Sequence, residues 1–184
     1  SIPVIGVIAP GSRAALKASR RNRIGVIATE GTIRSNAYRD AILTKDPTAP
    51  VISQACPKFV PLVESNEYHS TVAKRVVAAS LKQLKKQDVD TLVLGCTHYP
   101  LLRPLIQNVM GPGVTLIDSG AETVNDVSAV LDYLDIANDS STKRYPDEYY
   151  TTGAAEQFEA IARDWLGQPN FYAQHIDLGS ETND

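Results

Sequence analysis

The chain has 184 residues, enough for one substantial domain, or for one domain and part of another. Hydrophobic residues make up 43% and charged residues 21%, the proportions of an ordinary globular protein, which argues against a disordered or fibrous chain. A net charge of −3, with the 18 Lys and Arg spread out except at Arg20, Arg21 and Arg23, argues against a nucleic-acid surface.

In chain order, short apolar runs rich in β-branched residues alternate with longer segments of helical period, the pattern of βαβ units around a parallel sheet. Strands are expected at 3–8, 24–28, 50–54, 90–95 and 114–117, with helices between them at 11–20, 31–44, 66–86 and 100–109. In the helix at 66–86, Val72, Val76, Val77, Leu81 and Leu84 form a stripe expected to face the sheet. Right-handed crossovers follow by default. Beyond Asp118 come a helix at 121–134, a polar loop from Asn138 to Asp147, a short strand Tyr149-Tyr150-Thr151, a helix at 154–166 and a strand at 174–178. The stretch Asn138-Asp139-Ser140-Ser141-Thr142-Lys143 is the best linker candidate. The strand pair and helix that follow cannot enclose a core by themselves, so their apolar face is expected to need partners from elsewhere. At the other end, Ser1 runs straight into the apolar Pro3-Val4-Ile5-Gly6-Val7-Ile8, as if cut from something longer.

Two cysteines, Cys56 and Cys96, in a chain far larger than disulfide-dependent scaffolds suggest a reduced compartment. The apolar stretch Ile2 to Pro10 is too short to span a bilayer and lacks a basic flank, so neither a signal nor a membrane segment is expected, and the location expected is cytoplasmic.

The informative segment is Asp90-Thr91-Leu92-Val93-Leu94-Gly95-Cys96-Thr97-His98-Tyr99-Pro100-Leu101, a buried strand running through a glycine and a cysteine into a helix. In open parallel sheets ligands bind at the carboxyl ends of strands, where Cys96 falls and where Gly95 permits close backbone approach. Pro100 suits a first helical turn, with the cap at Thr97, His98 or Tyr99. The unpaired N–H groups there favour an anion and are expected to lower the thiol pKa from about 8.5. The plain alternative is that a free cysteine packs as a small hydrophobe; this is favoured for Cys56, which has no polar cluster beside it. The Cys-x-His pair could bind metal, but structural zinc needs four ligands and no second close pair exists, so no metal is expected.

A second strand end, Ile27-Ala28-Thr29-Glu30-Gly31-Thr32-Ile33, offers Thr32 as a helix N-cap or as a carboxylate binder, capping being the commoner role. Asp118-Ser119-Gly120 is expected to cap the next helix. Glu64 ends the apolar stretch from Phe59, where most carboxylates are simply solvated.

The string Gly95-Cys96-Thr97-His98-Tyr99-Pro100-Leu101, with Pro3-Val4-Ile5-Gly6-Val7, Gly25-Val26-Ile27-Ala28-Thr29, Cys56-Pro57 and Asp118-Ser119-Gly120-Ala121-Glu122, closely resembles bacterial glutamate racemase, within the aspartate/glutamate racemases. The resemblance covers nearly the whole chain, and the cysteine string is its specific element. It implies an α/β fold with a parallel-sheet, three-layer domain at 4–116 carrying Cys96. Residues 117–184 would be the carboxyl-terminal part of a second, similar domain whose amino-terminal strands are absent. It implies a cofactor-independent isomerase that interconverts L- and D-glutamate and supplies D-glutamate for peptidoglycan, hence for cell-wall biogenesis and cell shape. Two cysteines would face opposite sides of the substrate Cα, Cys96 being the second. Glu64 and His98 would assist the proton transfers, and Thr32, Thr97 and His98 would contact substrate. Implied partners are glutamate, the missing amino-terminal half and a second copy of the chain in a homodimer, with no nucleic acid and no membrane.

The family's amino-terminal portion, with the first catalytic cysteine, has no counterpart here, and the Cys-Pro context of Cys56 matches a different position. The chain alone is therefore expected to be inactive, since racemisation needs an acid and a base on opposite faces. Rival readings are an aspartate racemase or other two-cysteine isomerase, a non-catalytic binding or regulatory protein, and a thiol hydrolase. The last needs a base, and the histidines are His69, His98 and His175, of which His98 lies very close to Cys96 in sequence.

Overall fold

The computed structural model describes residues 2–138 and 145–179. These fall into two compact units, Ser1–Ala137 and Asn138–Asp184.

The first unit is built on four parallel strands, β1 (Ile24–Ala28), β2 (Val51–Ala55), β3 (Thr91–Leu94) and β4 (Thr115–Asp118), in the order β2-β1-β3-β4. Every residue of β1 and β3 is buried, as the continuous apolar runs of both strands require of a sheet covered on two faces. Side-chain alternation divides the core. Ile27, Leu92, Leu94 and Leu116 join one cluster with Phe59, Leu81 and Ile106, from α4 (Phe59–Glu64), α5 (Thr71–Lys85) and α6 (Arg103–Met110). Ile24, Val26, Val93 and Ile117 join the other with Ala15, Tyr38 and Ile42, from α1 (Ile8–Ala18) and α3 (Ala37–Lys45). This makes three layers, in which each fully buried Leu or Ile contributes roughly 1.5–3 kcal/mol.

The two clusters also fix where a ligand can enter. The chain leaves β1 for α2 (Glu30–Arg34) and α3 on one face, and leaves β3 for α6 on the other. The carboxyl ends of β1 and β3 therefore lie at the topological switch point, where open parallel sheets bind ligands. Ile27 pairs with Leu94, which brings Gly95 level with Ala28 at these strand ends.

Several expected elements differ. The helix at 31–44 is two helices, because Asn36 takes a left-handed conformation (φ 56°) between α2 and α3. Helix α4 was not expected, although Phe59, Leu62 and Val63 carry the i, i+3, i+4 spacing that buries it. The expected strand at 3–8 is not formed: Ile2 and Val4 are 90% and 95% exposed and α1 begins at Ile8. A strand needs a ladder partner for its backbone, and residues 2–7 have none here. The stripe on α5 is rotated: Ala73, Val77, Leu81 and Leu84 are buried, whereas Val72 is 61% exposed. Ser70 caps this helix, its Oγ accepting from the Ala73 N–H at 3.1 Å.

Helix α7 (Ser119–Tyr133) packs along α1, with Arg13 paired to Asp126, and so lies within the first unit. Packing thus divides this chain after Ala137, whereas the division expected from the family resemblance falls after residue 116.

The second unit holds β5 (Tyr150–Thr151), α8 (Ala155–Leu166) and β6 (Gln174–His175), the two strands pairing in parallel. Ala162, Phe171 and Ala173 form its small core, with Tyr149 against Phe171 at 4.3 Å between ring centroids. The Glu159 carboxylate accepts from the Ala173 N–H and from Arg163, while Trp165, Leu166 and Tyr172 remain exposed. The linker candidate, apart from Asn138, lies outside the described residues. Among the described residues no helix is long and apolar enough to cross a membrane.

Candidate active site

Cys96 sits in the turn between β3 and a short 3-10 helix, Tyr99–Leu102, with Pro100 in its first turn. The turn is tight because Gly95 donates its N–H to the Ile27 carbonyl at 2.8 Å while lying against the Tyr38 ring. A Cβ at position 95 would come 2.9 Å from Tyr38 Cε2 and 3.1 Å from the Ile27 oxygen, so only glycine fits. Cys96 is half-buried as a result, Thr97 is exposed and His98 is half-buried.

Three of the expected residues meet here with the thiol. His98 Nδ1 lies 3.9 Å from Cys96 Sγ and 3.2 Å from Thr97 Oγ1, and its Nε2 lies 3.2 Å from Glu64 Oε1. An ionised carboxylate only accepts, so the imidazole proton is assigned to Nε2, donating to Glu64. The Nδ1 lone pair then faces the thiol and the Thr97 hydroxyl as an acceptor. Glu64 reaches this position as the last residue of α4, with the side chain 46% exposed.

Thr32 stands at the neighbouring strand end and is not joined to this cluster. It is not the N-cap of α2: Thr29 is, its Oγ1 accepting the Thr32 N–H at 3.4 Å and lying 3.1 Å from Thr32 Oγ1. Thr29 takes that role because the cap must be extended, and its ψ is 161°. Thr32 is half-buried at the carboxyl end of β1. Asp118 does cap α7, accepting from the Gly120 and Ala121 N–H groups at 2.9 and 3.2 Å.

The expected lowering of the Cys96 pKa is not what this environment produces. Burial, the largest influence, pushes the thiol above its ordinary value, and the negative Glu64 adds to this. The His98 and Tyr99 N–H groups and the Thr97 hydroxyl favour the thiolate but are outweighed. A four-residue 3-10 turn brings few aligned peptide dipoles to offset the loss of water.

Cys56 follows the plainer reading. It is 1% exposed, burial raises its thiol to about 11, and the nearest side-chain donor is Gln54 Nε2 at 3.6 Å. Among the described residues, no group of three or more His, Cys, Asp or Glu could hold a metal ion.

The sequence profile of Asp/Glu/Hydantoin racemases matches residues 1–127. The chain belongs to this family. It is 94% identical over 184 residues to the glutamate racemase of Lactiplantibacillus plantarum, covering 100% of this chain and 67% of that protein. A glutamate racemase isoform of Bacillus anthracis matches with a TM-score of 0.87 at 42% identity, covering 97% of this chain and 66% of that one. The Francisella tularensis glutamate racemase, solved in complex with D-glutamate, matches with a TM-score of 0.81 at 30% identity, covering 98% and 65%. This racemase-family chain thus spans about two thirds of the length of the relatives it matches, in the racemase fold throughout.

The packing roles of two buried tyrosines around the racemase-family cysteine loop escaped sequence reasoning. Tyr99, 0% exposed, donates its hydroxyl to the Cys56 carbonyl at 3.0 Å and meets Phe59 edge-to-face at 5.1 Å, tying the end of β2 to the Cys96 turn. Tyr38, 3% exposed, backs Gly95 from α3. The available signal was a tyrosine in an otherwise apolar environment, whose hydroxyl must find a partner when buried.

Proposed function

We propose that the longer protein corresponding to this chain is a glutamate racemase, and that Cys96 is one of two thiols exchanging the substrate α-proton. The observation that carries this is the line from Cys96 through His98 to Glu64 at the switch point of the sheet. One thiolate removes the α-proton and leaves a carbanion at Cα; the thiol on the opposite face returns a proton and inverts the centre. The Nδ1 lone pair of His98 offsets the poor acidity of the half-buried Cys96 thiol by accepting its proton or a hydrogen bond, and Glu64 stabilises the imidazolium that proton transfer creates. Thr32, Thr97 and His98 border the substrate, the threonine hydroxyls and backbone N–H groups being suited to a carboxylate.

In this reading residues 4–116 are one domain of the longer protein and 117–184 the closing part of the other, the remainder supplying the second thiol. Cys56 cannot be that thiol, because it is buried and held protonated. The 184-residue chain therefore binds and orients at most one face of the substrate and does not racemise it. The longer protein works in the cytoplasm, as a homodimer, to supply D-glutamate for peptidoglycan.

The test follows L- and D-glutamate by circular dichroism with the longer protein, its Cys96→Ala variant and the 184-residue chain. Interconversion in both directions by the first alone supports the reading. Full activity in Cys96→Ala would end it.

A further inference from the structure

A buried path runs from helix α1 to the Cys96 backbone. Gly11 of α1 packs so closely on Ser119 that a Cβ there would collide with the serine side chain. Ser119, 4% exposed, opens α7 immediately after the capping Asp118 and accepts a hydrogen bond from the Tyr38 hydroxyl at 2.9 Å. The Tyr38 ring fills the space against Gly95, whose other side is held by the Ile27 carbonyl. A phenylalanine would fill this space as well, and a buried hydroxyl is tolerated only where it is bonded, so the oxygen needs a reason beyond packing.

We propose that Tyr38, pinned by Ser119, is a positioning residue that fixes the Gly95–Cys96 backbone and so sets how deeply the Cys96 thiol is buried. This rests on Cys96 being the working thiol. Tyr38 acts through the chain and not on the substrate: its ring stops Gly95 from moving toward α3, and the Ser119 bond stops the ring from turning away. The phenol and the thiol also lie within electrostatic reach of each other. Burial chiefly raises the Tyr38 pKa and the Ser119 bond lowers it, with Cys96 and Asp118 raising it further. Because Ser119 begins α7 and Gly11 belongs to α1, a shift of these helices would be felt at the thiol.

The test is alkylation of the full chain by iodoacetamide across pH, with Cys96 and Cys56 read separately by peptide mass. This readout needs no racemisation, so it stands apart from the success or failure of the racemase reading. Tyr38→Phe and Ser119→Ala each remove the same hydrogen bond while keeping the ring. Each is expected to lower the pH midpoint of Cys96 alkylation and to speed it roughly fivefold near neutrality, as the loosened turn lets water reach the sulfur. Cys56 should stay unreactive, and the double variant should exceed neither single one. An unchanged Cys96 rate and midpoint in either folded variant would overturn the proposal, as would Cys56 becoming reactive in step with Cys96, which reports general opening. If Tyr38→Phe does not fold, Ser119→Ala, which deletes one oxygen, decides alone.

Discussion

The Nε2 of His98 lies 3.2 Å from the Glu64 carboxylate, so a residue 34 positions earlier in the chain fixes the tautomer of the histidine beside the thiol. Glu64 acts on Cys96 in two opposite ways. It anchors His98, and through its charge it raises the Cys96 pKa. Replacing Glu64 by Gln is expected to lower the pH midpoint of Cys96 alkylation while cutting kcat for racemisation in the longer protein by about tenfold to a hundredfold. A lowered midpoint with unchanged kcat would confine Glu64 to the thiol and remove it from proton transfer.

Cys56 predicts the alkaline behaviour of the fold. Its folded pKa is raised by burial to about 11, above the ordinary thiol value, so the folded state keeps a proton that the unfolded chain releases. The stabilisation is fully present below the unfolded pKa and is lost as pH rises from there through about 11. Urea unfolding of wild type and Cys56→Ala at stepped pH should give stabilities that converge over this window by up to roughly 3 kcal/mol. A constant difference at every pH would mean that the buried thiol is not protected as described.

Gly95→Ala tests the turn. The new methyl would meet a ring carbon at 2.9 Å and a main-chain oxygen at 3.1 Å, and the oxygen cannot move without disturbing β1. A loss of about 1–3 kcal/mol in urea unfolding is expected, with altered Cys96 alkylation. Wild-type values for both would show that the turn has slack.

Helix α5 offers a paired control for packing. Leu81→Ala removes a side chain that is 0% exposed and should destabilise by about 2–5 kcal/mol. Val72→Ala, at 61% exposure, should stay within about 0.5 kcal/mol of wild type by thermal or urea unfolding. Equal losses at the two positions would contradict the orientation of the helix.

Thr29 and Thr32 separate capping from binding. Thr29→Ala removes the cap of α2 and should cost about 1 kcal/mol of stability. Thr32→Val keeps the cap and removes a hydroxyl proposed to border the substrate, so it should raise KM for glutamate in the longer protein while leaving stability nearly unchanged. Calorimetry and steady-state kinetics on the two variants distinguish the roles, and an unchanged KM in Thr32→Val would take Thr32 out of the substrate site.

Sequence alone determined the parallel sheet, because β1 and β3 are continuous apolar runs between helical segments, and a strand covered on both faces has no other economical pattern. It also placed a glycine and a thiol, Gly95 and Cys96, at the end of a buried strand, because these are local facts. Tertiary structure decided what is non-local. It decided that Glu64 reaches His98, that Tyr38 and Ser119 back the cysteine turn, and that the N-cap of α2 is Thr29. It turned Val72 outward, because a 3.6-residue period read from side-chain type leaves the rotation of a helix free by one position until a sheet presses on it. It left residues 2–7 without a ladder, since a strand exists only beside another strand. It also reversed the expected shift of the Cys96 thiol, because the helix-end donors are visible in sequence whereas the burial that keeps water from the sulfur is a property of the packed molecule.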